Sequence, residues 1–147
     1  MASIDRLDKP VLLLQQEFWN EPEMNLNQVT LPATDIQQSG DFYKRLGFNQ
    51  IVDSPHYSRF ECTDGEATFS IHLAVDYTHC ESYVTYLDIE ELDQCLDRKI
   101  SEGCQFDRMP DDMRWKWREA RLRDPAGNVI CLYWAGKMRK NPPWRVN

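Results

Sequence analysis

The fold is decided by residues 35–48, which read Asp35-Ile36-Gln37-Gln38-Ser39-Gly40-Asp41-Phe42-Tyr43-Lys44-Arg45-Leu46-Gly47-Phe48. Asp35 is a residue type that caps the N-terminus of a helix, and Gly47 is the type that ends one in a left-handed conformation. Between them, apolar residues recur at helical spacing, from Ile36 to Leu46. The stretch therefore predicts a helix that begins after Asp35 and stops at Gly47.

The same pattern returns later in the chain, because Gly47 and Gly103 are 56 positions apart and each follows a helix-like stretch. A strand-like run precedes the helix in both copies, Leu26–Leu31 in the first and Tyr83–Leu87 in the second. Glu90-Glu91 opens the second helix, where negative charge favours the positive end of the helix dipole. Strand, helix and glycine thus occur twice in one register.

Three further strand-like runs follow each helix. They are Phe48–Val52, Tyr57–Cys62 and Ala67–Ala74 in the first copy, and Gln105–Arg108, Arg114–Arg123 and Val129–Trp134 in the second. Turn residues such as Pro110-Asp111-Asp112 separate the runs. The order predicts an α+β fold in which two βαβββ modules form a curved mixed sheet around a cavity. We expect one domain with an N-terminal extension (residues 1–24), two modules (25–80 and 81–135) and a C-terminal tail (136–147).

The composition of the 147 residues argues against nucleic-acid and membrane partners. The formal charge of −7 lacks the cationic excess that nucleic-acid binding needs. The longest aliphatic run, Val11–Leu14, is too short for a membrane helix or a signal peptide. Five cysteines without a C-x-x-C pair predict reduced thiols in a cytoplasmic protein.

Two motifs carry a family resemblance. Together with the repeat, Phe42-Tyr43-Lys44-Arg45-Leu46-Gly47-Phe48 and Arg123-Asp124-Pro125-Ala126-Gly127-Asn128 resemble the vicinal oxygen chelate superfamily, the group of glyoxalase I, bleomycin-resistance proteins and extradiol dioxygenases. The resemblance covers about residues 25–135 and implies a homodimer. Both motifs also have structural explanations, since the first anchors a helix and the second is a tight turn. The ending Pro142-Pro143-Trp144-Arg145 resembles a subgroup feature to which we assign no role.

In enzymes of this family, each module is expected to give two donors to a divalent metal ion, and the ion acts as a Lewis acid. The resemblance places these positions at Gln28, Ser70, Val84 and Cys131. Val84 has no donor atom, a neutral serine is a poor ligand, and a lone thiolate does not complete a site. We therefore predict no metal or other cofactor. The alternative is a divalent ion held by a rearranged set, namely Gln28, His72, Glu119 and Cys131.

Side-chain alternation along the strands predicts which residues face the cavity. The expected ligand-binding residues are Gln28, Tyr57, Arg59, Ser70, His72, Tyr86, Trp115, Trp117, Glu119, Arg121 and Cys131. Aromatic rings around a few placed polar groups are typical of a small-molecule site, although the same rings also suit a core or a dimer interface. The candidate catalytic groups are Glu119 as a general base and Cys131 with His72 as a nucleophile–base pair.

These observations predict a metal-free protein of the glyoxalase/bleomycin-resistance type that binds a small organic molecule and pairs with a second copy of itself. One alternative is a metal-dependent lyase, isomerase or dioxygenase with a non-standard ligand set. The other is an interaction module whose cavity is filled with side chains. The sequence leaves open whether the protein is an enzyme.

Overall fold

The computed structural model describes residues 22–146, so residues 1–21 of the predicted N-terminal extension lie outside the described part. The elements are β1 (Gln28–Ala33), α1 (Ile36–Leu46), β2 (Asn49–Ser54), β3 (Tyr57–Glu61), β4 (Thr68–Leu73), β5 (Val84–Asp88), α2 (Leu92–Ser101), β6 (Arg108–Asp112), β7 (Arg118–Arg123), β8 (Val129–Trp134) and a 3-10 helix (Gly136–Arg139). The predicted order, βαβββ followed by βαβββ, is confirmed. In the described residues neither α-helix has the length and hydropathy that a membrane span requires.

The strands form two four-stranded mixed sheets. The first sheet has the order β1-β4-β3-β2, and the second has the equivalent order β5-β8-β7-β6. In each sheet the first and last strands of the repeat run parallel, with Gln28 beside Thr68 and Val84 beside Val129. The other pairs are antiparallel. The predicted α+β class and the duplicated topology are therefore confirmed.

Helix α1 has the ends that its sequence predicts. The Asp35 carboxylate accepts a hydrogen bond from the Gln38 backbone N–H at 2.9 Å, which satisfies one of the free donors of the first turn. Gly47 follows the helix with φ +122°, a value that side chains with a Cβ disfavour. The helix presents Ile36 and Tyr43 to the interior. Local chemistry alone thus fixes both ends of α1.

Two predictions about the strands of the second copy were wrong. Strand β6 is Arg108–Asp112 and not Gln105–Arg108, so Pro110 lies within a strand. Proline is tolerated at this position because β6 is an edge strand. The missing N–H therefore removes no hydrogen bond between inner strands of the sheet. The run Arg114–Trp117 is a turn, in which the Met113 N–H bonds the Trp117 carbonyl at 2.7 Å and Lys116 has φ +71°. Its alternating tryptophans resembled a strand, but β7 begins only at Arg118.

One hydrophobic core is shared by the two sheets, on the faces that carry the helices. Its buried members are Ala33, Ile36, Tyr43, Phe60, Phe69, Ile71, Leu92, Leu96, Ala120, Leu122, Ile130 and Leu132. Val29 is 38% exposed, since it lies on the edge strand β1. The opposite faces of both sheets hold most of the polar and aromatic residues that the sequence marks as candidates for binding, while Trp115 and Trp117 lie in the turn before β7.

The two family motifs bind each other across this core. The Tyr43 hydroxyl donates to Asp124 Oδ2 at 2.6 Å, and both side chains are buried. Burial and the neighbouring Asp124 raise the pKa of Tyr43 well above its usual value, which keeps this donor protonated. Asp124 also accepts from the backbone N–H groups of Ala126 and Asn128. The Asn128 amide in turn donates to the Pro32 carbonyl at 2.9 Å, so this turn holds the first copy at two points.

We predict that Tyr43→Phe lowers the free energy of unfolding by about 2 kcal/mol, because it removes one buried hydrogen bond to a carboxylate and leaves the ring in place. Urea unfolding measures the change. The matched control is Tyr83→Phe, since Tyr83 is 79% exposed and its loss of a hydroxyl should change stability by less than about 0.5 kcal/mol. Equal stabilities for the two variants would contradict the role of the Tyr43–Asp124 bond.

Candidate functional site

In the first sheet, the strand register puts the polar residues that were selected by side-chain alternation on one face. Arg59 lies beside Ser70, and Tyr57 lies beside His72, on neighbouring antiparallel strands. On the other side of β4, Gln28 is the partner of Thr68. Side chains of directly opposed residues project from the same face of a sheet.

Most polar groups on this first face already bond to one another. The hydroxyls of Thr30 and Ser70 are hydrogen bonded at 2.8 Å, and the Thr68 hydroxyl donates to the Gln28 amide oxygen at 3.0 Å. Arg59 Nε donates to the Tyr57 hydroxyl oxygen at 2.9 Å. Gln28 and Ser70 thus lie on one face, as predicted, but their oxygens are engaged by protein partners.

Tyr57 and His72 form the outer part of the same face. A side-chain hydrogen bond with Ser70 lowers the pKa of Tyr57, and Arg59 adds to this effect. His72 is exposed near the end of β4. His72 and Cys131 lie on different sheets, and no hydrogen bond within residues 22–146 joins them. The described geometry thus does not assemble the nucleophile–base pair.

The equivalent face of the second sheet is aromatic. The rings of Trp117 and Tyr133 stack with centroids 4.8 Å apart. Tyr86 meets both edge-on, at 5.9 Å from Trp117 and 5.5 Å from Tyr133. Tyr86 is 44% exposed, whereas Tyr133 is buried. We call these three residues the aromatic cluster, and Tyr86 is its accessible ring.

A buried charge pair lies beside the aromatic cluster. Glu119 is fully buried, and its Oε1 accepts from Trp115 Nε1 at 2.7 Å. Its Oε2 is 3.5 Å from Arg121 Nη2, which is an ion-pair distance without hydrogen-bond geometry. Glu119 Oε2 and Arg121 Nε have no hydrogen-bond partner within residues 22–146. Buried polar atoms are rarely left unpaired, so this pair is suited to contact a further polar group.

Cys131 lies on the same face and is an unreactive thiol. Burial, with a smaller contribution from Glu119, raises the pKa of Cys131 to about 12. The thiolate is the form that attacks electrophiles and binds metals, and at neutral pH it is almost absent from such a residue. Cys131 therefore suits a packing role beside Tyr133, Ala135, Val84 and Trp117.

The donor set does not fit a divalent metal ion. The positions that the family resemblance marks lie two on each sheet, as the resemblance implies, with Gln28 and Ser70 on the first and Val84 and Cys131 on the second. Val84 has no donor atom, and the Cys131 thiol stays protonated. Within residues 22–146, no group of three or more His, Cys, Asp or Glu side chains is arranged to hold a metal. In these residues, His72, Glu119 and Cys131 of the rearranged set do not form such a group either.

The main groove of the described chain lies elsewhere, and sequence analysis missed it. Of the predicted ligand-binding residues, Tyr86 alone lines this groove. The lining comes mostly from strand ends and loops, such as Cys62–Asp64 and Asp88–Glu90. Alternation gives no facing direction in loops. The sequence signal that could have pointed to the groove was the 56-residue offset. It pairs each loop of one copy with a loop of the other, so the two can be compared residue by residue.

Solved structures share this fold at low sequence identity. A glyoxalase/bleomycin resistance protein/dioxygenase from Nocardioides is 17% identical, with a TM-score of 0.70 over 92% of this chain and 98% of the other. A bleomycin-binding protein complexed with bleomycin is 19% identical, with a TM-score of 0.65 over 76% and 98%. Lactoylglutathione lyase from Agrobacterium tumefaciens is 17% identical, with a TM-score of 0.63 over 80% and 98%. At these identities the likeness shows the fold alone.

Sequence comparison gives the family. No curated protein matches this chain. The family model of the Glyoxalase/Bleomycin resistance protein/Dioxygenase superfamily matches residues 25–132, which include the first βαβββ unit, the second as far as Leu132 in β8, and both motifs. The chain therefore belongs to the Glyoxalase/Bleomycin resistance protein/Dioxygenase superfamily.

Proposed function

We propose that this protein binds a small, planar organic molecule without a metal ion, on the face of the second sheet that carries the aromatic cluster. One observation carries the proposal: two of the four positions that the family resemblance marks for metal donors hold Val84 and a protonated Cys131, beside stacked aromatic rings. The surface has lost ion-binding chemistry and has the chemistry of ring stacking.

The aromatic cluster supports a planar ligand. Aromatic rings bind flat molecules by offset stacking and by edge-to-face contact. Trp117 and Tyr133 are already stacked on each other, so they give Tyr86 a rigid support. A ligand ring placed against Tyr86 gains contact area without ordering a flexible side chain, which reduces the entropic cost of binding.

Glu119 and Arg121 supply polarity next to this apolar surface. Glu119 Oε2 is an acceptor and Arg121 Nε is a donor, and neither has a hydrogen-bond partner in the described chain. The Arg121 side chain is partly exposed, whereas the Glu119 carboxylate is buried. A few placed polar groups within an aromatic wall are the usual composition of a small-molecule site.

The proposal extends to the assembly. The family resemblance implies a homodimer, and we include a cytoplasmic homodimer in the proposed function. The likeness to a bleomycin-binding protein supports the binding class and makes bleomycin a reasonable first probe. The alternatives are a metal-dependent enzyme with an unusual ligand set and an interaction module. Each predicts a different result when ligands or metal ions are added to the protein.

The first test is a thermal-shift screen of planar aromatic compounds that begins with metal-free bleomycin. A ligand at 100 times its Kd adds about 2.7 kcal/mol of stability. For each compound that binds, we expect Trp117→Leu to raise the Kd about tenfold, because the variant removes the ring that supports the aromatic cluster. Trp144→Leu is the matched control, since Trp144 is exposed in the tail and contacts no part of the cluster.

Other outcomes of this screen contradict the proposal. The absence of any ligand across the library would favour the interaction module. Stoichiometric uptake of Zn²⁺, Ni²⁺ or Mn²⁺ by protein first stripped with a chelator, together with a metal-dependent rate, would favour the enzyme.

A second test concerns the Cys131 thiol. The folded state holds the pKa of Cys131 at about 12, above the ordinary value of 9.0. The protonated thiol is neutral, so its stabilising contribution is complete below pH 9 and is lost as pH rises towards 12. We expect wild type to lose about 1 kcal/mol for each pH unit above 9, relative to Cys131→Ala, in urea unfolding between pH 8 and 10.5. If the free energy of unfolding changes with pH in the same way for both proteins, the thiol ionises as readily in the folded as in the unfolded chain.

A further inference from the structure

The main groove has a volume of about 620 Å³ and lies where the end of α1 and the β3–β4 hairpin approach the end of β5. This volume is within the range of small-molecule sites, roughly 300–1,000 Å³. Its apolar floor consists of Leu46, Phe48, Leu87, Ile89 and Leu132. These side chains pack directly on the hydrophobic core or belong to it, so the floor is rigid.

The repeat relates this groove to a closed contact elsewhere in the molecule. In the β7–β8 hairpin, the Asp124 N–H donates to the Asn128 carbonyl at 3.1 Å. In the β3–β4 hairpin, the Cys62 N–H donates to the Ala67 carbonyl at the same distance. Cys62 is therefore the structural counterpart of Asp124, and Ala67 is the counterpart of Asn128.

The substitutions at these counterparts leave the groove open. Asp124 reaches across to Tyr43 on α1 and closes the second hairpin onto the first copy. The equivalent contact would join the β3–β4 hairpin to α2. Cys62 of that hairpin has no carboxylate, and the α2 residue that corresponds to Tyr43, 56 positions later, is Lys99. The Lys99 ammonium donates instead to the Arg45 carbonyl at 2.8 Å. One hairpin is thus bonded to the opposite helix, while the other borders an open space.

The groove has an excess of negative charge. Three carboxylates line it, those of Asp64, Asp88 and Glu90, against a single guanidinium, that of Arg139. Within residues 22–146, none of these four takes part in an ion pair. An unpaired acidic rim over an apolar floor complements a molecule with a cationic end and an apolar body.

Tyr133 adds one hydroxyl group to the lining of the groove. It lines the groove and is only 6% exposed, and its hydroxyl has no hydrogen-bond partner in the described chain. Burial, with the nearby Asp88 charge, raises the pKa of Tyr133, so the hydroxyl is neutral at physiological pH. The hydroxyl oxygen itself is accessible to solvent, so it can accept a hydrogen bond from a ligand N–H.

We propose that this groove is a binding site for a small organic cation with an apolar body, such as an arylalkylammonium ion. The ammonium group lies among the carboxylates and donates to the Tyr133 hydroxyl, while the body covers the apolar floor. The site shares Tyr86 and Tyr133 with the aromatic cluster but extends away from Glu119 and Arg121. The inference does not depend on the proposed function.

The test compares three probes that share one naphthalene body: 1-naphthylmethylammonium, 1-naphthylmethanol and 1-naphthylacetate. Calorimetry of the full chain at low salt and pH 7.5 should give the cation about fivefold tighter binding than the neutral alcohol, and the anion the weakest binding. Added NaCl should reduce the preference for the cation, because exposed charges are screened. Equal affinities for the cation and the anion would overturn the proposal.

Charge variants test the rim. The double variant Asp88→Asn with Glu90→Gln keeps the side-chain shapes, so the cation should lose its preference while the alcohol binds as before. Glu66→Gln is the matched control, because Glu66 is exposed on the same hairpin but does not line the groove. The proposal fails if the double variant and this control give the same ratio of cation to alcohol affinity.

A further variant tests the location. Ala67→Phe places a ring in the groove wall and should weaken the binding of all three probes at least tenfold, while amide NMR spectra confirm the fold.

Probe-induced chemical-shift changes in wild type should fall on Gly47, Thr63 and Glu90, and changes confined to Arg121 and Trp117 would place the cation in the aromatic site instead. If no probe binds and Ala67→Phe changes the molecular mass in solution, then the groove contacts a second copy and the proposal is wrong.

Discussion

The bond between Tyr43 and Asp124 is the constraint on which the arrangement of the two copies depends. Each four-stranded sheet buries only the face that carries its helix, so the two copies need a fixed relation to share one core. Asp124 ties its own turn together through two backbone donors, and the same carboxylate accepts from Tyr43 in the other copy. A buried carboxylate with several donors is stable only in this geometry, and this requirement specifies how the copies pack.

The contact is not repeated in the other direction, and the main groove lies where the equivalent contact is missing. Duplication gives two hairpins that each face the opposite helix. One keeps an aspartate and meets a tyrosine, while the other has Cys62 in the aspartate position and faces a helix with Lys99. A side chain shortened at such a contact leaves space that neighbouring strands cannot fill, because they are held in register by their own ladders. The duplicated fold thus has a closed contact on one side and an open groove on the other.

Much of the fold follows from local sequence signals, and the exceptions have physical causes. The caps Asp35 and Gly47 fix α1, and alternation places Arg59, Glu119 and Cys131 on the correct faces because their strands lie inside the sheets. Alternation failed between Arg114 and Trp117, where the left-handed Lys116 turns the chain despite a strand-like pattern. The groove was beyond local reasoning, since it results from the absence of a bond between residues far apart in the chain.

One electrostatic principle applies to both candidate surfaces, the aromatic face of the second sheet and the main groove. On the aromatic face, burial stabilises neutral forms: it raises the pKa of Cys131 to about 12, and Glu119 is compensated by Arg121. In the groove, the carboxylates lie at an exposed rim and stay unpaired within the described residues. A charge buried without a partner destabilises the fold, whereas an exposed charge does not, so unbalanced charge accumulates where solvent screens it. The proposed site on the aromatic face therefore relies on contact with flat molecules, and the proposed site in the groove relies on the charge of the rim.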